Sequence, residues 1–291
     1  MPNSLFINKK ILNFNKKIKV SGDKSLSIRW ALLASQATGK SRAYKLLRSE
    51  DVLSTLNCLK TLGVKIKLHN KYCEIHGRGI NGFNYKKNLV LNAGNSGTLG
   101  RLILGLLVHS PNKIKLIGDK SLSKRDFSRV TKPLKKFGAT FFSDKKNELP
   151  LSIMGTNYPK PIRYSENKGS AQVKTSICFA ALNTSGETII KAKKSRNHTE
   201  LLFRYLKIPI KVKKNKKYDF IKITGKKEIK SFNYKIPADI SSSAFFIVLT
   251  ALSNDSKLLI KNVNINPSRT GVVKILKKMG VKILIKDKRN Y

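Results

Sequence analysis

The segment Gly22-Asp-Lys-Ser-Leu-Ser-Ile-Arg29 sets a lysine, a hydroxyl and an arginine at a spacing that could grip an anion. "GDKSLSIRWALLA" reads as a helix, which turns about 100° per residue, so Ser25 and Arg29 lie one turn apart on one face. Lys24 stands at the helix start, where unbonded N–H groups and the positive dipole end attract negative charge. The trio suits a phosphate or a carboxylate, although the same letters also describe a serine cap and two solvated cations. In "LNAGNSGTLGRL", Gly94, Gly97 and Thr98 precede an apolar helix. Small residues there let backbone amides approach an anion, or simply make a tight strand-to-helix turn. Lys124 and Arg125 follow a second Gly-Asp-Lys-Ser; arginine can hold a carboxylate through two parallel bonds, and a solvated basic loop is the plainer reading. "GSAQVKTS" puts Ser170 and Gln172 at another helix start. Capping accounts for Ser170 but not for Gln172, whose amide could bind hydroxyls or phosphate.

Other chemistries find little support. "ASQATGKS", Ala34 to Ser41, fits a relaxed phosphate-loop pattern but falls at the end of a helix, whereas that motif needs a strand before it and a helix after it. His69, His76, His109 and His198 lack metal-ligand spacing, and no Ser/His/Asp order or paired-carboxylate motif stands out. Cys58, Cys73 and Cys178 are odd in number and never Cys-x-x-Cys, which argues for reduced thiols in the cytoplasm. Cations, amides and hydroxyls together point to substrates that already carry phosphate and carboxylate.

The elements that must position these groups recur. Four segments begin at Gly22, Gly94, Gly169 and Ala238, with successive spacings of 72, 75 and 69 residues. Each opens on Gly, Ser or Thr and runs into an apolar helix: "IRWALLA", "RLILGLL", "TSICFAAL" and "AFFIVLTAL". A short strand follows ("SRAYKLL", "NKIKLIG", "ETIIKA", "SKLLIKN"), then an amphipathic helix such as "STLNCLKTLGVKI", and usually a hairpin such as "VKIKLHNKYCEIHG". Leu56, Leu59 and Leu62 keep the spacing of a buried stripe, and Gly63 suits the position just past the helix end. The unit reads β-α-β-α-β-β. The two Gly-Asp-Lys-Ser runs occupy different places in it, so their likeness is not the duplication.

The 291 residues, 40% of them hydrophobic, suffice for a substantial core. No window approaches a membrane span, and the basic N-terminus lacks the apolar run of a secretory signal. The formal charge of +44 invites a nucleic-acid reading. Its lysines, however, are scattered in pairs from Lys9-Lys10 to Lys277-Lys278, where binders gather charge on one face. A field this positive still favours small anions.

Seven motifs in order, "GDKSLSIR", "GNSGT", "GDKSLSKR", "GSAQVKTS", "SRNHTE", "ADISSSAF" and "NPSRTG", make the chain resemble EPSP synthase, 3-phosphoshikimate 1-carboxyvinyltransferase, from about Ile18 to Ile285. The resemblance implies an α/β fold, the inside-out prism of enolpyruvyl transferases, with four of an expected six units present. One domain of three units would cover about 20–230; residues 1–19 and 231–291 would form part of a second. That part is expected to expose apolar surface meant for its missing neighbours.

The implied reaction joins the 5-hydroxyl of shikimate 3-phosphate to C2 of phosphoenolpyruvate and expels phosphate, with no cofactor and no metal, in a cytoplasmic protein that is monomeric when complete. By resemblance, Lys24, Ser25 and Arg29 contact shikimate 3-phosphate, Lys24 also reaching phosphoenolpyruvate and counting as the catalytic residue here. Gly97 and Arg125 match phosphoenolpyruvate positions; Ser170, Ala171 and Gln172 match the shikimate 3-phosphate loop, Gln172 touching both ligands; Arg196 matches a further contact. The sequence stops short of the segment holding the family's catalytic carboxylates, so the expectation is a truncated gene product, a fragment or half of a split enzyme, with little or no turnover alone. Asp239 reads as a helix cap. Glyphosate-tolerant relatives commonly carry Ala at the position of Gly97, so glyphosate sensitivity is expected of the complete enzyme. Alternatives are the UDP-N-acetylglucosamine enolpyruvyl transferase, whose loop cysteine lacks a counterpart here, and a noncatalytic basic protein that binds anions or nucleic acid.

Overall fold

A helix apolar on every side must be covered on every side, and that requirement organises most of this chain. The computed structural model describes residues 12–145 and 147–286. The residues before Leu12, including Lys9-Lys10, and those after Lys286 lie outside the described residues, as do parts of the expected second domain. The chain divides into two units. One is Lys24–Ile236; the other joins the residues up to Asp23 to those from Pro237 onward.

In chain order the elements are β1 (Asn15–Ile18), α1 (Lys24–Ser35), β2 (Thr38–Tyr44), α2 (Glu50–Thr61), β3 (Lys65–Leu68) and β4 (Tyr72–Arg78). Next come β5 (Val90–Asn92), α3 (Gly97–Leu106), β6 (Ile114–Ile117), α4 (Lys120–Ser123), α5 (Ser128–Lys136), β7 (Thr140–Ser143) and β8 (Leu151–Met154). Then follow β9 (Arg163–Glu166), α6 (Ala171–Leu182), β10 (Glu187–Lys193), α7 (His198–Tyr205), β11 (Ile210–Lys214) and β12 (Tyr218–Thr224). The last are β13 (Asn233–Lys235), α8 (Ile240–Leu252), β14 (Lys257–Ile260) and α9 (Gly271–Lys278).

The larger unit holds three four-stranded mixed sheets, ordered β13-β2-β4-β3, β5-β6-β8-β7 and β9-β10-β12-β11. Each starts with a parallel pair and continues through two antiparallel ones. Strand alternation sets one face inward: in β10, Thr188, Ile190 and Ala192 are buried while Glu187, Lys191 and Lys193 are exposed. Inside lie α1, buried from Leu26 to Ser35, α3, and α6, buried from Val173 to Leu182. Helices α3 and α6 approach backbone to backbone: a Cβ on Gly105 would collide with the Ser176 carbonyl oxygen, so only glycine allows the approach. Gly63, at φ +83°, ends α2 in the left-handed region where glycine carries no penalty.

The smaller unit pairs β1 in parallel with β14. Asp239 caps α8, its carboxylate accepting from Ser241 N–H at 2.8 Å, and Arg269 donates to that carboxylate at 3.1 Å and to Ser241 Oγ at 2.6 Å. The capping role expected of Asp239 is therefore present. Of α8 only Ile240 and Ser243 are buried; Phe245 is 80% exposed and Leu252 79%. Among the described residues, no helix is long and apolar enough to cross a membrane.

Candidate anion site at converging helix starts

Apart from Arg125, which follows α4, the residues singled out by sequence lie at or near the starts of four helices of the larger unit, α1, α3, α6 and α7. Lys24 is the first residue of α1 and Ser25 the second, so neither caps it. Lys24 Nζ stands 3.3 Å from Asp51 Oδ2 in the first turn of α2. Arg29 is no solvated cation: it is 3% exposed. Its Nε donates to Thr199 Oγ1 at 2.9 Å, NH2 to Thr175 Oγ1 at 3.0 Å and NH1 to the Ser25 carbonyl at 3.1 Å. The phosphate-loop look-alike at Ala34–Ser41 runs from the end of α1 into β2, the reverse of the order a phosphate loop requires.

At the next start, Ser96 caps α3 by accepting from Leu99 N–H at 3.2 Å, and Gly97 is the first helical residue. A Cβ on Gly97 would meet Arg101 NH1 and Arg125 NH1, each at 3.0 Å. Arg101 is the hub here. It donates to Gln172 Oε1 at 3.0 Å, to the Gly97 carbonyl at 3.3 Å and to the Asp126 carbonyl at 3.2 Å, and lies 5.0 Å over the Phe127 ring. Burial, then the charges of Arg125 and Arg129, push its pKa below the usual guanidinium value. Gln172 completes the link by donating to Thr98 Oγ1 at 3.2 Å.

Arg125 is exposed and reaches Asn95 Oδ1 and Ser121 Oγ at 3.5 Å. The second Gly-Asp-Lys-Ser proves to be a helix start as well. Asp119 caps the four-residue α4 by accepting from Leu122 N–H at 2.7 Å, and that bond, then one from the Asn95 amide, lowers its pKa. In both runs the helix begins at the lysine after the aspartate, so the twin letters share local geometry although they sit at different places in the chain order.

The third start is prepared by Glu166. This buried carboxylate accepts from the backbone N–H groups of Lys168 at 3.0 Å, Gly169 at 2.8 Å and Ser170 at 3.0 Å. The turn so folded presents Ser170, which caps α6 through Val173 N–H at 3.3 Å, followed by Ala171 and Gln172, all partly exposed. Exposed Arg196 stands in the turn before α7, three residues ahead of Thr199.

The structure thus brings Gln172, Gly97 and Arg125 together around Arg101, and ties Ser25 and Arg29 to α6 one turn further in. Lys24 joins the same end of α1 and Arg196 the start of α7. Sequence reasoning missed Arg101 and Glu166. Arg101 follows Gly97 by four residues, the same one-turn spacing that joined Ser25 to Arg29, and that signal could have found it. Several cations, the positive ends of the helices and the Gln172 amide make a site suited to an oxyanion with neighbouring hydroxyls.

A profile of the family described as EPSP synthase (3-phosphoshikimate 1-carboxyvinyltransferase) matches residues 9–290. A 3-phosphoshikimate 1-carboxyvinyltransferase from Streptococcus mutans is 41% identical over 273 residues, covering 93% of this chain and 63% of the relative. One from Petrotoga mobilis is 41% identical over 277 residues, covering 94% and 63%. A solved EPSP synthase from Acinetobacter baumannii superposes with a TM-score of 0.87 at 36% identity, covering 95% of this chain and 62% of that one. The chain therefore spans a little under two thirds of the length of these relatives.

Proposed function

The chain belongs to the EPSP synthase family, and from that premise we propose that it supplies the shikimate 3-phosphate site, and part of the phosphoenolpyruvate site, of a 3-phosphoshikimate 1-carboxyvinyltransferase. In that reaction the 5-hydroxyl oxygen bonds to C2 of phosphoenolpyruvate, and its proton is balanced by one gained at C3. Loss of a C3 proton and cleavage of the bond from C2 to the phosphate oxygen then release phosphate and leave the enolpyruvyl ether. Two polyanions must be held side by side, so the protein's task is to offset their repulsion and to orient them. Lys24, Ser25, Arg29, Ser170, Ala171, Gln172 and Arg196 are assigned to shikimate 3-phosphate. Gly97, Arg125, Lys24 and Gln172 are assigned to phosphoenolpyruvate, and Arg101 joins them through its bond to Gln172.

The finer architecture belongs to the same proposal. Lys24–Ile236 is read as a complete domain of three β-α-β-α-β-β units in an inside-out prism. The remaining residues are read as one unit of a second domain, in a protein of the cytoplasm. The common plan of the three mixed sheets supports this.

One observation carries the functional reading: Gln172 bonds both Thr98 and Arg101, so two buried helices begin side by side next to Gly97 and Arg125. Titration calorimetry of residues 1–291 with shikimate 3-phosphate, and separately with generic DNA at physiological salt, tests it. Saturable binding of the small molecule, weakened about tenfold or more by Gln172→Ala, is expected, a loss of ~1.4 kcal/mol or more. DNA binding without shikimate 3-phosphate binding would overturn the reading in favour of a basic polyanion binder.

A further inference from the structure

We propose that Thr175 and Thr199 are positioning residues for the shikimate 3-phosphate site, acting through Arg29; the inference rests on the reading of that site given above. Arg29 uses three different nitrogens on three different helices: NH1 on the Ser25 carbonyl of its own α1, NH2 on Thr175 of α6, and Nε on Thr199 of α7. A guanidinium is planar with its N–H directions fixed, so three such bonds determine its position and tilt. The two hydroxyls also bond each other at 2.7 Å, which fixes them relative to one another as well as to the arginine. Both threonines are 1% exposed, and β-branching restricts their side-chain torsions in a helix.

The consequence reaches the ligand-facing residues by short covalent paths. Ser25, whose carbonyl Arg29 holds, follows Lys24 directly; Thr175 lies three residues after Gln172, and Thr199 three after Arg196. One buried guanidinium therefore sets the register of three of the helix starts that present the site. A separate ion pair holds α6 and α7 together: Lys174 Nζ and Glu200 Oε1 are 2.6 Å apart and buried. Cohesion of the two helices has its own ion pair, so the threonine hydroxyls are free to serve alignment.

The test is a thermodynamic cycle on residues 1–291 with calorimetric titration of shikimate 3-phosphate. Thr175→Val and Thr199→Val keep shape and remove the hydroxyl; each should weaken binding about tenfold, or ~1.4 kcal/mol. Thr175→Ser and Thr199→Ser, which keep the hydroxyl, should bind within about twofold of the parent. In an Arg29→Met background the valine substitutions should change affinity no further, an outcome that general destabilisation would not produce. If a valine variant fails to fold, the Nε–H of Arg29 in the parent and in the serine variant decides by NMR: slow solvent exchange in both supports the clamp, and fast exchange in the parent overturns it. Valine variants that bind as tightly as the parent, or that lose the same affinity without Arg29, overturn the inference while leaving the site itself standing. A parent chain that does not bind shikimate 3-phosphate overturns both.

Discussion

Helices α6 and α8 are near equals as sequence and opposites as structure. "AQVKTSICFAAL" and "ISSSAFFIVLTAL" are both apolar around their circumference and both follow a polar, capped start. Helix α6 is buried from Val173 to Leu182, packed against α3, α5, β10 and β12. Helix α8 is the more apolar of the two, yet it packs on β14 and α9 and leaves Phe245, Phe246, Val248, Leu249 and Leu252 exposed. Hydrophobicity all round is thus a demand for neighbours on all sides, and among the described residues only α6 has them. An apolar patch of this kind marks an interaction surface or an aggregation hazard.

The comparison is sharpest with one substitution made in both places. Phe179 in α6 is fully buried and stacks on Phe203 at 6.3 Å; Phe179→Ala should cost ~3–5 kcal/mol. Phe245→Ala in α8 should change stability by no more than ~0.5 kcal/mol and improve solubility. Denaturant titration followed by the single tryptophan, buried Trp30 of the larger unit, reads the first; hydrogen exchange along α8 reads the second. Equal costs would mean that α8 is covered in solution.

Ion pairs repeat the contrast of covered and uncovered within the larger unit. Lys174–Glu200 and Lys222–Glu187 have the same 2.6 Å separation, but the first pair is buried and the second nearly half exposed. Lys174→Met would strand a buried carboxylate at ~3–5 kcal/mol, most of it recovered by adding Glu200→Leu. Lys222→Met should cost less than ~1 kcal/mol. Matching losses in denaturant titration would show that burial is not what separates the pairs.

What was legible in the sequence follows from the same distinction. The apolar runs "IRWALLA", "RLILGLL", "TSICFAAL" and "AFFIVLTAL" lie in helices, save Leu107, which caps the end of α3, and "VKIKLHNKYCEIHG" forms the β3–β4 hairpin, because local pattern determines local structure. Burial was not legible in the helix itself: nothing within α8 distinguishes it from a covered helix, and its exposure was expected only through the family resemblance. Sheet pairing over long range was equally silent, as with β13, which pairs with β2 from some 190 residues away. In the site, the anion-favouring helix starts could be read from glycines, hydroxyls and cations. The fate of Arg29 could not, because it depends on threonines about 150 and 170 residues further on. Glu166 was missed for a related reason: a glutamate gathering three backbone N–H groups of its own turn carries no common signature.

Thiols give the covered unit a pH response that the other unit lacks. All three cysteines are buried and lie in Lys24–Ile236. Burial pushes Cys58 and Cys73 up to about 12, and raises Cys178 as well. The folded state then keeps these protons to higher pH than the unfolded chain does. Stability is whole below about pH 9 and falls as pH rises towards 12, by up to ~1.4 kcal/mol per thiol per pH unit. Serine in place of Cys58 and Cys73 should flatten the alkaline limb of Trp30-detected unfolding. An unchanged limb would place the alkaline sensitivity elsewhere, while the exchange of α8 amides, far from any thiol in sequence, should show no added opening.

The smallest effects come from two glycines that each open a helix, Gly97 in α3 and Gly271 in α9. Neither has a positive φ, so alanine is conformationally allowed at both and should stabilise by ~0.4–1 kcal/mol through the unfolded chain where space permits. At Gly271 a Cβ meets nothing within 4 Å, so the gain should appear in full as slower exchange of α9 amides. At Gly97 the methyl would press on Arg101 NH1 and Arg125 NH1, each 3.0 Å away, and a shift of Arg101 NH1 would strain its bond to Gln172. Gly97→Ala should therefore gain less stability than Gly271→Ala, and should weaken binding of small phosphorylated carboxylates a few-fold where Gly271→Ala leaves it unchanged. Calorimetric titration of both variants beside their unfolding curves separates the two positions. Equal gains in stability with affinity intact at Gly97 would mean that the two guanidiniums yield without cost, and that the crowded helix start is no more committed to its ligands than the open one.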